Sequence, residues 1–235
     1  MASADLVLRP LLAPILLAQG LWVRRTAQQL PEPPGARSGG TGEGLRVLIL
    51  GDSSAAGVGA KTQSNGLSGQ LSQALAAQGP ITWHLEAEIG ATTKTSLAKL
   101  DALPNMPFDV ALLVHGVNDT TRFTTKARFK ARQQEVIDRL RARHGVRHVI
   151  LSGAPPMHHF PLLPQPLRWV LGCHAQRLDG VLADLASTDS DITHLALDLP
   201  YEPRFVASDG FHPSEDAYVV WADMIADTIR GQIKS

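Results

Sequence analysis

Four short clusters of small and polar residues stand out along the chain: Gly51-Asp52-Ser53-Ser54, Gly90 within EIGATT, Gly116-Val117-Asn118-Asp119, and Ser208-Asp209-Gly210-Phe211-His212. A serine hydroxyl attacks a carbonyl only when a neighbouring base takes its proton as the new bond forms. Ser53 is the candidate nucleophile and His212 the candidate base. Imidazole, with an unperturbed pKa of about 6.5, accepts that proton and then returns it to the leaving group. Asp209 stands three residues before His212, where a turn brings its carboxylate to the other ring nitrogen and fixes the tautomer. These residue types support acyl transfer through a serine ester. Asp52 and Asp119 read instead as residues that order their loops by bonding to backbone.

Such residues must be held by a scaffold, and hydropathy patterning supplies one. Short apolar runs at Arg46–Leu50, Ile81–Glu88, Asp109–Val114, Val146–Leu151 and Ile192–Leu199 predict five strands. They alternate with helical spacing over Leu67–Ala77, Leu97–Leu103, Thr124–Arg143, Trp169–Leu185 and Ser214–Ile229. Strands alternating with helices predict a five-stranded parallel sheet covered on both faces, a three-layer α/β/α domain over residues 45–235. In an open parallel sheet, functional residues lie beyond the carboxyl ends of the strands. All four polar clusters fall there.

Composition narrows the function further. The chain has 235 residues, 44% of them hydrophobic, enough for one sizeable core. Lys and Arg number 22, as do Asp and Glu, so no net field draws the protein to nucleic acid. Cys173 is the single cysteine, which excludes an internal disulfide and a thiolate metal cluster. His158-His159 lacks the spacing and the adjacent carboxylate of a zinc hydrolase, so no metal and no cofactor are expected. Trp83, Trp169 and Trp221 read as core residues.

Two phosphate-loop readings of the first cluster fail on spacing. The glycines fall at Gly51, Gly57 and Gly59, which is not the dinucleotide pattern. GVGAKT (57–62) ends like a P-loop, but Ala55 and Ala60 occupy the positions where a P-loop needs glycine.

The first thirty residues differ in character. Leu6–Val23, LVLRPLLAPILLAQGLWV, is mostly apolar and is followed by Arg24-Arg25. Four readings stand: a membrane span interrupted by Arg9, Pro10 and Pro14; a signal peptide cut near Ala18-Gln19-Gly20; a helix lying at the bilayer interface; and a helix docked on the protein's own surface. Membrane association through residues 6–23, or export to the periplasmic side, is the expectation, with a cytoplasmic location as the alternative. Residues 31–44, PEPPGARSGGTGEG, read as a linker.

Taken together, the four clusters resemble the SGNH hydrolases, also called the GDSL esterase and lipase family, over Arg46 to Ile229. The blocks occur in family order: Gly51-Asp52-Ser53-Ser54 with Ser in place of the usual Leu, Gly90, GVND with Gly116 and Asn118, and the Asp209/His212 pair. No Gly-x-Ser-x-Gly elbow surrounds Ser53, which argues against the α/β-hydrolase route to the same chemistry. The resemblance implies a flavodoxin-like sheet and a serine carboxylester hydrolase. It also implies an oxyanion hole made by the backbone N–H groups of Ser53 and Gly90 and the side-chain amide of Asn118, while Gly116 shapes the turn that aims Asn118. A glycine allows close approach of backbone to substrate, and Asn supplies a neutral donor.

For the substrate, Pro155–Trp169 (PPMHHFPLLPQPLRW) is apolar and proline-rich after the fourth strand. It reads either as a wall of an acyl pocket, with Met157 and Phe160 as binding residues, or as a loop covering the core. A carboxylester hydrolase of esterase, lysophospholipase or thioesterase type, acting on an acyl ester or lipid, is therefore expected in preference to a carbohydrate deacetylase. Two alternatives use the same residues: an acyltransferase, and a noncatalytic module that holds lipid or peptide.

Overall fold

In the computed structural model, which describes residues 4–197, 199–200 and 202–233, the run Val47–Leu50 is buried throughout. It belongs to strand β2 (Leu45–Gly51), which lies inside a six-stranded sheet. The other strands are β1 (Ser38–Gly40), β3 (Ile81–Ala87), β4 (Val110–Val114), β5 (His148–Ser152) and β6 (Ile192–Leu195), in the spatial order β1-β3-β2-β4-β5-β6. The last five are parallel to one another, and β1 is antiparallel to β3. The sheet thus has six strands where five were expected. The extra one is an antiparallel edge drawn from the Gly-rich segment 31–44.

Side chains on β2 and β4 alternate between two cores, as the pleat requires. Val47, Ile49, Val110, Leu112 and Val114 face one cluster with helices α2 (Leu67–Ala76) and α7 (Glu215–Ile233). Leu48, Leu50, Ala111 and Leu113 face the other, covered by α3 (Thr93–Lys99), α5 (Lys126–His144) and α6 (Leu167–Ser187). Continuous apolar strands with helices on both faces form the three-layer α/β/α architecture.

Several boundaries moved for local reasons. Helix α3 spans Thr93–Lys99 rather than 97–103, because Thr92 and Thr95 form a reciprocal capping box that starts it earlier. Leu100–Ala102 continues it as a single 3₁₀ turn. A five-residue helix, α4 (Val117–Thr121), carries Asn118. Strand β6 stops at Leu195.

Leu6–Val23 lies within helix α1 (Ala4–Thr26), which docks on α6. Leu16 is buried, and Leu12 and Val23 pack on a third cluster containing Met157, Leu163, Leu167 and Val170. Asp5 is buried and receives a two-pronged ion pair from Arg177 at 2.9 and 2.6 Å, with Arg9 at 3.0 Å. Gln19 donates to the carbonyl of Gln165 at 2.6 Å and accepts from the N–H of Leu167 at 3.0 Å, a donor that the first turn of α6 leaves free.

Candidate active site

Strands β2, β3 and β4 end level, since Gly51 pairs in register with both Ala87 and Val114. Ser53, Gly90 and Asn118 follow within a few residues of those three strand ends and so share one edge of the sheet.

The turn bearing Ser53 is braced from two sides. The Ser53 carbonyl accepts the N–H of Val58 at 3.0 Å, and the Val58 carbonyl accepts the hydroxyl of Tyr218 on α7 at 2.7 Å. Tyr218 is fully buried, which raises its phenol pKa well above the ordinary value, so it stays a proton donor. Gly59 explains the glycine-rich stretch that no phosphate loop accounts for. A Cβ there would meet the Pro213 carbonyl at 2.1 Å. Its absence lets the Ser53 turn lie against the residue after His212.

Ser53 and His212 meet across this contact, with Oγ 2.9 Å from Nε2. On the other side of the ring, Nδ1 is 2.5 Å from an Asp209 carboxylate oxygen. The second carboxylate oxygen accepts the backbone N–H groups of Phe211 and His212, each at 3.0 Å. A tight turn, closed by Gly210 N–H to Ala207 O at 3.0 Å and Ala207 N–H to His212 O at 2.8 Å, sets that local geometry. Burial works to raise the Asp209 pKa, but the bonds from the His212 side chain and from backbone outweigh it, and the carboxyl titrates below its ordinary range. A carboxylate at Nδ1 keeps the proton on that nitrogen and leaves Nε2 facing the serine as an acceptor.

Asn118 lies in the first turn of α4. Its amide nitrogen is 3.4 Å from an Asp52 carboxylate oxygen, a long bond. The backbone N–H groups of Ser53 and Gly90 donate to no protein acceptor among the described residues. Three donors at the strand ends are therefore weakly engaged or free. Gly116 has φ 143°, and a Cβ there would meet that of Ala154 at 2.8 Å, so the chain turns sharply into α4 only with glycine.

Asp52 is buried, and the loss of water raises its pKa to about 6 despite the Ser54 N–H bonded to it at 3.0 Å. Asp119 is buried as well and accepts the backbone N–H of Thr93 at 2.9 Å and its hydroxyl at 3.0 Å. Both aspartates order loops. His115, buried beside them, shares a 2.8 Å hydrogen bond with Ser96, and burial pulls its pKa down to about 4.

Next to His212 opens a cavity of about 480 Å³, walled mainly by proline, leucine and aromatic side chains, with Asp52, Ser54 and His212 on its border. Phe160 lines it and meets Phe211 edge-on at 5.0 Å, and Phe211 in turn meets His212 at 5.3 Å. Met157 does not line the cavity. It is fully buried under α1 in the third cluster, because the 3₁₀ turn Met157–His159 points it inward. The loop 155–169 thus serves as pocket wall at Pro155, Pro156, His159, Phe160 and Pro161 and as core cover at Met157, Leu163 and Leu167. Trp221 is buried and also forms part of the cavity floor. Asp198 and Tyr201, in the expected strand end and the loop after it, lie outside the described residues.

Sequence reasoning read residues 120–123 only as a second wall of the site and did not single out Arg122. Its guanidinium donates to the Gly90 carbonyl at 3.3 Å, and its backbone N–H donates to the Asn118 carbonyl at 3.2 Å. It therefore joins the two loops, a link between distant segments that no local pattern reveals.

Comparison with known proteins places this geometry in context. Residues 49–220 match the family described as GDSL-like lipase/acylhydrolase. A GDSL-like esterase of Mycobacterium tuberculosis is 27% identical over 197 residues, covering 79% of this chain. The chain spans 62% of the length of that relative. Among solved structures, TesA aligns with a TM-score of 0.64 at 20% identity, over 80% of this chain and 99% of that one. The psychrotrophic esterase EstA from Pseudoalteromonas sp. aligns at 0.63 and 20% identity, over 81% and 99%. A lipase/acylhydrolase from Enterococcus faecalis aligns at 0.60 and 21% identity, over 80% and 96%. At these identities the structures speak for the fold.

Proposed function

This chain belongs to the GDSL-like lipase/acylhydrolase family, and we propose that it is a serine carboxylester hydrolase acting through an acyl-enzyme on Ser53. The reading rests on the hydrogen-bonded line Ser53–His212–Asp209, 2.9 Å and 2.5 Å long. Ser53 Oγ attacks the ester carbonyl while its proton passes to His212 Nε2. Asp209 holds the ring and stabilises the imidazolium. The carbonyl oxygen, now negative, is met by the N–H groups of Ser53 and Gly90 and the amide of Asn118. Collapse expels the alcohol, which leaves with the proton from His212. Water then attacks the acyl-enzyme by the same route, releasing the acid and restoring Ser53.

The acyl group occupies the apolar cavity bordered by Phe160 and Phe211. Each added methylene buried there contributes about 0.8 kcal/mol, or roughly fourfold in kcat/KM, until the cavity is full. A series of p-nitrophenyl esters from acetyl upward tests this. A rising series supports the reading, whereas a preference for acetate overturns the acyl-pocket assignment.

The polarity of α1 carries a second element of this reading. Between Asp5 and Trp22 its polar side chains, Asp5, Arg9 and Gln19, turn toward the protein, and its outward residues are apolar. Leu11, Leu17, Val7 and Trp22 are 78%, 66%, 62% and 55% exposed. That is the reverse of a surface helix in water. With Arg24 and Arg25 exposed at its end, the helix is suited to lie in the headgroup region while it stays docked on residues 45–233. Full-length protein is expected to float with anionic vesicles, and Leu11→Glu/Leu17→Glu to stay in the aqueous fraction. A mature protein starting near Leu21, which is the signal-peptide outcome, overturns the docked-helix reading.

A further inference from the structure

A second cleft, of about 240 Å³, is lined by Lys94, Arg122, Arg128 and Arg132 with Thr92 and Thr124 between them. No carboxylate lines it. The chain as a whole is neutral, so four cations in one cleft are a local concentration of charge. Asp119 meets Arg132 from beneath at 4.0 Å. Lys94 and Arg128 make no ion pair among the described residues. The cleft shares no lining residue with the apolar cavity. Both nonetheless adjoin the loop that carries Asn118, since Val117 lines the cavity and Arg122 of the cleft donates to the Asn118 carbonyl; Arg122 also donates to the Gly90 carbonyl.

We propose that this cleft binds a phosphate group carried on the leaving alcohol or thiol of the substrate. The proposal rests on the ester-hydrolase reading and adds its substrate class. The acyl chain fills the apolar cavity, the scissile carbonyl faces the oxyanion donors, and the anion on the departing half lies among the cations. Guanidinium groups suit phosphate because their planar N–H forks match its oxygens two at a time, and Lys94 adds a point charge. Arg122 is in the cleft and on the oxyanion loops together, so the anion and the reacting carbonyl are registered by one residue. The attraction acts at a partly exposed site and weakens as salt rises.

Matched esters of one acyl chain test this on the full chain. One arm compares an acylglycerol 3-phosphate with the same acylglycerol. The other compares an acyl-phosphopantetheine thioester with the same acyl-pantetheine, which separates an alcohol from a thiol as the source of the phosphate. In one arm kcat/KM is expected to favour the phosphorylated substrate by about tenfold or more. The Lys94→Ala/Arg128→Ala variant is expected to bring that ratio toward unity, chiefly through KM. A readout free of turnover is calorimetric binding of glycerol 3-phosphate to Ser53→Ala protein, expected to weaken about tenfold when Lys94 and Arg128 are also replaced. Turnover of neither partner of a pair, with that binding intact, overturns the hydrolase reading and supports the cleft as an anion site. Turnover of the neutral esters with no phosphate preference, or an equal loss on both members of a pair in the double variant, overturns the proposal.

Discussion

Asp119 takes both the backbone N–H and the hydroxyl of Thr93, at 2.9 and 3.0 Å, and by doing so ties the segment after Gly90 to the helix that carries Asn118. Gln133 adds a bond to the same hydroxyl at 3.1 Å. Gly90 and Asn118, the two outer donors of the proposed oxyanion hole, come from separate strand ends, and this buried carboxylate ties the two segments together. Asp119→Ala is expected to lower kcat by about tenfold to a hundredfold with little change in KM, since charge on the oxygen develops only in the transition state. Asp119→Asn keeps an acceptor for Thr93 and is expected to recover part of the loss. Reduced thermal stability with unchanged kcat would leave Asp119 a purely structural residue.

Asn118 is the side-chain donor of the proposed oxyanion hole. Asn118→Ala is expected to cost about a hundredfold to a thousandfold in kcat. A raised KM with kcat intact would show that the amide only holds the substrate.

Asp52 gives the fold a pH dependence whose sign follows from burial. Its pKa rises from an ordinary 3.8 to about 6 in the folded protein. Between those values the folded state binds more protons at this site than the unfolded chain does, so its contribution to stability falls as pH rises through that window. Asp52→Asn removes the titration and keeps a neutral acceptor for the Ser54 N–H. In urea titrations the stability of Asp52→Asn relative to wild type is expected to rise by about 2 kcal/mol between pH 4 and pH 7. A pH-independent difference contradicts the assignment.

Helix α1 is expected to matter for stability as well as for attachment. Removing residues 1–27 uncovers Met157, Leu163 and Leu167 and strips Arg177 of its Asp5 partner. Exposed core and the loss of the Asp5–Arg177 and Asp5–Arg9 ion pairs are expected to lower Tm by several degrees and to promote aggregation. A truncated protein with unchanged Tm would mean that α1 packs loosely.

Much of the scaffold was legible because parallel strands buried on both faces read as unbroken apolar runs, as at Val47–Leu50 and Val110–Val114. The hydrogen-bonded arrangement of Ser53, His212 and Asp209 was legible because Asp209 and His212 are local in sequence and Ser53 follows a strand directly. Strand β1 escaped because Ser38-Gly39-Gly40 pairs with β3 through backbone alone and leaves no side-chain signature. The start of α3 escaped because its capping box uses Thr95 where Glu or Gln is the usual signal. Met157 and Phe160 are equally apolar, so composition carried no information on which faces the cavity. The docking of α1 depends on Asp5 and Gln19 finding partners on α6 and on the segment leading into it, contacts between residues far apart in the chain.

The central claim is that Ser53 is the nucleophile, activated by His212. The most direct measurement is mass-spectrometric mapping of a fluorophosphonate adduct on the full-length protein, alongside ester turnover by wild type and Ser53→Ala. The account predicts one adduct, on Ser53, no adduct in Ser53→Ala, and loss of nearly all turnover in that variant with its fold unchanged. Labelling that persists in Ser53→Ala, or turnover close to wild type, would contradict it and would direct attention to Ser54, which follows in the same turn.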